Sequence, residues 1–118
     1  ATDPAVQARI NTALDFITEH LTEEIRLPEV AALVDMSPSA FSRFFTRAAG
    51  RGFAEMVRRL RIIRACHLLA TTSAPVSDIC YEVGFGNLSN FNRQFRSETG
   101  TPPRRYRATA TAGQRSFA

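Results

Sequence analysis

Lysine and tryptophan are absent from this 118-residue sequence, and every one of its 15 basic side chains is an Arg. The chain carries 11 acidic side chains and a net charge of +4, which divides into −3 over residues 1–50 and +7 over residues 51–118. Arg offers a planar guanidinium that grips phosphate or guanine through two parallel hydrogen bonds. The basicity therefore suits a nucleic-acid partner, although charge alone fits any basic protein.

Long apolar runs are also missing. No run reaches the roughly 18 residues that a membrane crossing needs, and no signal-peptide pattern opens the chain. We therefore expect a cytoplasmic protein with no membrane partner. The first residue is Ala rather than Met, which favours a piece of a longer chain with further domains upstream.

Residues that carry metal or catalytic chemistry are scarce. Cys66 and Cys80 do not form a C-x-x-C pair, and together with His20 and His67 they lack any zinc-ligand spacing. Both cysteines fall in apolar helical segments, which predicts buried reduced thiols. No Ser/His/Asp, Cys/His or paired-carboxylate cluster has a credible spacing, so we expect neither an enzyme nor a cofactor.

Helical signals dominate the whole sequence. Apolar residues recur at spacings of three and four, and no strand pattern occurs, which predicts an all-α fold of seven helices. Asp3-Pro4 and Ser37-Pro38 are typical helix starts, while Gly50 and Gly100 are typical helix ends. The last helix is expected to be a short one over 104–107.

The pattern F-x-R-x-F-x4-G occurs twice, over Phe41–Gly50 and Phe91–Gly100, at an offset of fifty residues. A long amphipathic helix is predicted between the copies, over Phe53–Thr72. Its apolar stripe is expected to contain Val57, Leu60, Ile63 or Arg64, and Leu68. Twenty helical residues span about 30 Å, which is close to one turn of B-DNA.

Each copy of the repeat predicts a helix with a core side and a polar side. On a helical wheel, Phe41, Phe45 and Pro38 share one side, as do Phe91, Phe95 and Leu88 in the second copy. The opposite sides hold no acid and carry short hydrogen-bonding residues with Arg, as expected for helices that enter a DNA groove about 12 Å wide. They comprise Ser39, Ser42, Arg43 and Thr46 in the first copy, and Ser89, Asn92, Arg93 and Arg96 in the second.

A short helix precedes each copy and completes a helix-turn-helix pattern. Ala31 and Cys80 are small, as required where two helices cross closely, and Asp35 and Gly84 follow four residues later in the turns. Gly adopts a positive φ easily and Asp does so at some cost. The second turn is longer than the first by one residue.

These motifs resemble those of the AraC/XylS-type transcriptional regulators over about residues 8 to 107. The resemblance is most specific in Ile79–Phe95, followed by Gly100–Pro103 and Tyr106-Arg107. It extends to Arg59–Ala65, which resembles the family's linker helix, and to Met36–Ser39, which resembles its first recognition-helix entry.

The resemblance implies a bacterial transcription-factor domain whose two helix-turn-helix units enter adjacent major grooves. By position it places the base-contacting roles on the wheel's polar sides, at Ser39, Ser42, Arg43, Ser89, Asn92 and Arg93. We divide the chain accordingly into a first helix-turn-helix subdomain over 1–52, a linker helix over 53–72, a second subdomain over 73–107 and a flexible tail over 108–118.

The remaining expectations concern phosphates and protein partners. We assign phosphate contacts to Arg47, Arg96 and Arg104 and to backbone N–H groups near Ser77 and Thr101. Because one chain carries both recognition helices, a monomer should occupy an asymmetric double-stranded site of about 20 bp. The acidic first half should face away from DNA, where it is either solvated or in contact with an upstream ligand-sensing domain or RNA polymerase.

Two alternatives stay open. The chain could be a stand-alone small activator rather than the output domain of a ligand-sensing regulator. It could also be a helical protein-interaction module, which would explain the amphipathic helices. An interaction module would not explain two acid-free polar sides at matching positions, so DNA binding is the favoured interpretation.

Overall fold

The protein is all-α, as predicted. The computed structural model describes residues 3–116, and this part of the chain forms seven helices and no strand. The helices are α1 (Pro4–Glu19), α2 (Leu27–Leu33), α3 (Pro38–Ala49), α4 (Phe53–Thr71), α5 (Val76–Glu82), α6 (Leu88–Thr99) and α7 (Pro103–Ser116). None of the helices in this range is long and apolar enough to cross a membrane.

Side chains before the helices explain where several of them begin. The Asp3 carboxylate accepts a hydrogen bond of 2.9 Å from the Ala5 N–H, and the Ser37 hydroxyl accepts one of 3.2 Å from the Ala40 N–H. Each satisfies a first-turn donor that has no partner within its own helix. Arg26, before α2, supplies no such bond, because an Arg side chain has no acceptor atom for a backbone N–H.

Contacts within the chain define two compact units. The boundary between them along the sequence lies between Val57 and Arg58, inside α4. The first unit buries apolar residues from α1 to the start of α4: Ile10, Ala13, Ile17, Leu21, Val30, Ala31, Val34, Phe41, Phe45, Phe53 and Val57. The second buries Ile62, Ala65, Leu69, Ile79, Cys80, Val83, Phe85, Phe91 and Phe95. The division of the chain into two subdomains, a linker helix and a tail, which we made from the sequence, stays a prediction.

Clustered aromatic rings centre each core on the repeated phenylalanines. In the first unit, the Phe53 ring lies 5.7 Å from Phe41 and 5.5 Å from Phe45, in both cases edge to face. In the second unit, Phe95 lies 5.8 Å from Phe91. All four repeat phenylalanines are fully buried, which confirms their predicted place on the core sides of α3 and α6.

The stripe predicted for α4 is correct at Val57 and at Leu68, which packs against the second core, but wrong at Ile63 and Arg64, which are exposed. The buried residues of its second part are Ile62, Ala65 and Leu69. Ile63, which we placed in the stripe, is 53% exposed. The helix contributes Phe53 and Val57 to one core and the later residues to another, and the five-residue step from Val57 to Ile62 interrupts the regular spacing.

The turns of both helix-turn-helix units have the same backbone design. Asp35 (φ 58°) and Gly84 (φ 98°) are left-handed. After each of them, the next N–H donates to the carbonyl of the small crossing residue, from Met36 to Ala31 at 3.0 Å and from Phe85 to Cys80 at 3.1 Å. These bonds satisfy carbonyl groups at the ends of α2 and α5. Four residues separate α2 from α3 and five separate α5 from α6, which confirms the one-residue difference.

Helix α7 is longer than predicted. We expected helix only over 104–107, but α7 continues to Ser116. The run after Arg107 is rich in Ala, which has the highest helix propensity. The flexibility assigned to 108–118 stays a prediction, and residues 117 and 118 lie outside the described part of the chain.

Arg107 ties α7 to the end of α4, a role that no sequence pattern suggested. Its Nε donates to the Leu69 carbonyl at 3.1 Å, and its Nη2 donates to the Ala74 carbonyl at 2.6 Å. Carbonyl groups in the last turn of a helix lack partners within the helix, so a cation there is favourable. The guanidinium therefore holds α7 against the end of α4 and against the segment that joins α4 to α5.

Removal of this tie should destabilise the second unit. We expect Arg107→Ala to lower its free energy of unfolding by about 1–2 kcal/mol, because two partly buried carbonyls lose charged donors. Urea unfolding monitored by circular dichroism measures the change. Arg105→Ala is the matched control, because Arg105 is an exposed residue of the same helix. Equal stability of the two variants would contradict the role given to Arg107.

Candidate nucleic-acid interface

Helices α3 and α6 present similar surfaces on matching backbones. Both are twelve residues long, and both end at a left-handed Gly, Gly50 (φ 79°) or Gly100 (φ 80°). Each has a polar side-chain cap, and in α6 it is the Asn87 amide oxygen, which accepts from the Asn90 N–H at 2.8 Å. The fifty-residue repeat therefore gives two helices of equal length whose residues correspond one to one.

The structure places all six predicted base-contacting side chains on exposed surface, opposite the buried phenylalanines. Three lie on α3 and three on α6: Ser39, Ser42, Arg43, Ser89, Asn92 and Arg93. Within each helix they share one side, so a single groove could reach all three. These residues form what we call the polar face of each helix.

The two polar faces differ in reach. Where α3 has Ser42, α6 has Asn92, and beside the face Arg96 of α6 takes the place of Thr46 of α3. The face of α6 therefore carries a hydroxyl, an amide and a guanidinium group, whereas that of α3 carries two hydroxyls and a guanidinium group. Long side chains with several donors discriminate bases better than hydroxyls, so the α6 face has the greater capacity for base recognition.

Glu98, the one acid of α6, is paired within its own unit. Glu98 lies in the last turn of α6, and its Oε2 is 3.4 Å from Nη1 of Arg59 on α4. Polyanionic DNA would be repelled by an unpaired carboxylate. The ion pair reduces that repulsion at the end of the helix.

A concavity of about 660 Å³ lies along one side of α6. It is lined by Leu88, Asn92 and Arg96 of α6, by residues 75–77 around the start of α5, and by residues 102–104 and Arg107 around the start of α7 and within it. The α6 face is thus flanked by two further chain segments with polar groups. Such flanks suit the two phosphate strands that border a major groove.

Leu88 corrects one prediction about this surface. We placed it on the core side of α6, but it is 37% exposed and lines the concavity. It is the first residue of α6, so it extends past the buried layer formed by Phe91 and Phe95. Pro38, the corresponding residue of α3, is exposed for the same reason.

The predicted phosphate contacts have different surroundings. Arg47, Arg96 and Arg104 are exposed, and Ser77 is half-buried at the wall of the concavity. The Thr101 N–H already donates to the Thr99 hydroxyl at 3.3 Å, and the Thr101 hydroxyl is enclosed without a partner.

Thr101 is therefore poorly placed to offer a donor, and the first turn of α7 offers better ones. Pro102 and Pro103 have no N–H, and the Tyr106 N–H donates to the Pro102 carbonyl at 3.0 Å. The first-turn backbone donors that stay unpaired in a helix of this kind are those of Arg104 and Arg105. An anion at this helix start would meet them.

One contact within the α6 face was not foreseen. Nη2 of Arg93 donates to the Asn90 amide oxygen at 3.0 Å, and Nε2 of Gln94 approaches the same oxygen at 3.5 Å. Side chains three residues apart on a helix are neighbours, so the sequence N-x-x-R was the available signal.

The prediction of two buried thiols is confirmed for Cys80, which lies in the second core, whereas Cys66 is half-buried against that core. Cys66 and Cys80 are free cysteines, and burial raises the pKa of both thiols, which keeps them protonated at neutral pH. Among the residues described by the structure, no three His, Cys, Asp or Glu side chains are grouped as metal ligands would be.

Comparisons with known proteins agree with this geometry. A family described as a helix-turn-helix domain matches residues 30–109. The regulatory protein PocR of Salmonella typhimurium is 34% identical over 100 residues, which cover 85% of this chain and 33% of PocR. The chain thus spans about a third of the length of this curated relative.

Solved structures share the fold over nearly the whole chain. A transcriptional regulator of Chromobacterium violaceum, described among AraC-type DNA-binding domain-containing proteins, superimposes with a TM-score of 0.85 at 24% identity, covering 92% of this chain and 96% of that one. The DNA-binding domain of AdpA, solved in complex with a target DNA, has a TM-score of 0.80 at 27% identity and covers 94% of this chain and 96% of that one.

Proposed function

Because this chain belongs to the AraC-type helix-turn-helix family and is a DNA-binding domain of transcriptional regulators, we propose that α3 and α6 each read bases in a major groove. The observation that carries the proposal is the pair of acid-free polar faces on helices of equal length. The AdpA domain, a structural neighbour, was solved with its target DNA, which supports the same mode of binding here.

The base contacts follow from the side-chain chemistry of the two faces. Arg43 and Arg93 donate to guanine O6 and N7, and Asn92 pairs with adenine N6 and N7. The hydroxyls of Ser39, Ser42 and Ser89 supplement them with single hydrogen bonds. Recognition by the first unit therefore depends mainly on Arg43 and on backbone contacts, while the second unit supplies most of the discrimination.

The phosphate contacts come from the flanks of the faces. Arg47, Arg96 and Arg104 donate to phosphate oxygens. The start of α5 at Ser77 and the start of α7 add backbone N–H groups, with Arg104 and Arg105 taking the part first given to Thr101. These contacts fix the position of the domain on DNA without reading the sequence.

Arg96→Ala should weaken binding to all duplexes about equally. Each phosphate contact releases about one counterion from DNA on binding. Loss of one contact should therefore flatten the slope of log affinity against log salt by roughly one unit. Fluorescence anisotropy at several salt concentrations measures both quantities.

Arg9→Ala is the control for Arg96→Ala, because it removes the same charge from an exposed position on α1. It should leave the salt slope unchanged. A sequence-selective loss in Arg96→Ala would mean that Arg96 contacts a base rather than a phosphate.

Further proposals concern the full-length regulator, beyond this domain. One chain with two reading helices should occupy an asymmetric site of about 20 bp as a monomer. The relatives' greater length favours an upstream ligand-sensing domain over a stand-alone activator. The acidic side chains of the first half suit contact with that domain or with RNA polymerase, namely Asp15, Glu19, Glu23, Glu24 and Glu29.

Selection of binding sites from a random duplex library tests the proposal. At near-physiological salt, the 118-residue chain should recover two short conserved blocks about 10 bp apart in a non-palindromic arrangement. Recovery of no preferred sequence would contradict specific reading by this domain alone. Absence of binding even at low salt would favour the helical protein-interaction module.

A further inference from the structure

Arg93 is the base-reading side chain that the structure holds in place. Its Nη2 is bonded to the Asn90 amide oxygen at 3.0 Å, and the Asn90 backbone is itself fixed by the 2.8 Å cap bond to Asn87. The chain of contacts leads from the start of the helix to the guanidinium. The position of Arg93 is thus tied to the N-terminal turn of α6.

The direction of this contact favours a base over a phosphate. Helical side chains tilt toward the N-terminus, and Asn90 lies one turn before Arg93 in that direction. In helix-turn-helix proteins the N-terminal residues of the recognition helix contact base edges. The guanidinium is therefore held beside Ser89, at the end of α6 that should enter the groove.

The bond to Asn90 leaves enough donors for a guanine. A guanidinium has five N–H groups, and the amide oxygen takes one of them. The remaining groups can still form the two parallel bonds that guanine O6 and N7 accept. Asn90 therefore orients Arg93 without competing for its base-reading edge.

The first unit lacks this arrangement. Ala40 occupies the position that corresponds to Asn90. Within the residues described by the structure, Arg43 forms neither a hydrogen bond nor an ion pair. An unrestrained Arg loses more rotamer freedom on binding than one that is already oriented.

We propose that Asn90 is a positioning residue that pre-orients Arg93 for one base pair, so that the second unit discriminates more strictly than the first. This inference rests on the proposed DNA-reading function. It assigns Asn90 no contact with a base. It therefore predicts different selectivity for two arginines at corresponding positions.

Asn90→Ala tests the proposal. Affinities are measured for the preferred duplex and for a duplex changed at the base pair whose preference is lost in Arg93→Ala. We expect the ratio of these affinities to fall about three- to tenfold in Asn90→Ala. Discrimination at the base pair read by Arg43 should not change. In an Arg93→Ala background, Asn90→Ala should have no further effect.

Ala40→Asn is the matched gain-of-contact variant, since it places the acceptor three residues before Arg43. It should raise discrimination at the base pair read by Arg43 by about two- to threefold. Circular dichroism melting of both variants checks that the fold is retained, and Ala at position 40 already shows that this position of such a helix accepts Ala.

Three results would overturn the proposal: unchanged discrimination in Asn90→Ala, an equal loss of affinity for all sequences in that variant, or no gain in folded Ala40→Asn. The equal loss is the signature of a purely structural role. A wild-type chain that prefers no sequence would instead refute the proposed function, so the two failures can be distinguished.

Discussion

Phe95→Ala is expected to lower the free energy of unfolding of the second unit by about 3–5 kcal/mol. The Phe95 side chain is completely buried, and its ring lies 5.8 Å from Phe91 and 5.6 Å from Tyr106. Its loss would therefore empty the centre of the core that positions α6 and α7. Small units have total stabilities of about this size, so the second unit should be largely unfolded at 37 °C.

Residue-resolved hydrogen exchange measures this effect unit by unit. Amides around Ile79 and Phe91 should lose their protection in Phe95→Ala, while those around Ile17 and Val30 should retain it. Phe45→Ala is the matched control and should give the opposite pattern, because Phe45 occupies the corresponding place in the first core. Equal loss of protection in both units would show that they unfold together, contrary to this expectation.

Arg93→Ala should have the largest effect on DNA recognition. We expect affinity for the preferred duplex to fall about 10- to 100-fold, or roughly 1–3 kcal/mol, with a much smaller loss on scrambled DNA. The reason is that a bidentate guanine contact exists only on the preferred sequence. Competition titrations with the two duplexes at one fixed salt concentration measure the difference.

Arg93→Lys separates charge from geometry in this prediction. Lys retains the positive charge but lacks the planar fork, so binding to scrambled DNA should be nearly unchanged while discrimination falls. Unchanged affinities of Arg93→Ala for both duplexes would show that Arg93 takes no part in binding.

The fold was predictable where local chemistry determines it. Pro and a capping residue mark the start of α1 and α3, and a left-handed Gly ends α3 and α6. The repeated phenylalanines identified both cores because aromatic residues at this spacing share one side of a helix. For the same reason the polar faces followed from the sequence alone.

The predictions were wrong where contacts between distant parts of the chain determine whether a side chain is buried. The stripe of α4 was wrong at Ile63 and Arg64 because two separate cores use different residues of one helix. The burial of Leu88 was predicted wrongly because a helical wheel shows which side of a helix a residue lies on, but not whether other residues cover it. Leu88 is the first residue of α6 and lies beyond the buried part of the core. Arg107 was overlooked because its partners, Leu69 and Ala74, are more than thirty residues away in sequence.

Within the candidate site, the exposure of the residues was predictable but the orientation of their side chains was not. The sequence indicated which residues lie on the polar face of α6. The N-x-x-R spacing allows a contact between Asn90 and Arg93 but does not select it, because an exposed Arg has many rotamers and only the structure selects one of them. Whether the six face residues contact bases stays a prediction that the binding experiments test.

The division of the two cores along the chain also has a consequence for biosynthesis. Every buried residue of the first core precedes Arg58, and every buried residue of the second follows it. Domains generally fold as units and N-terminal first during translation. Because the residues of the two cores do not interleave along the chain, the first core can form in the nascent chain before the second has fully emerged from the ribosome, which reduces mispairing between the two sets of phenylalanines.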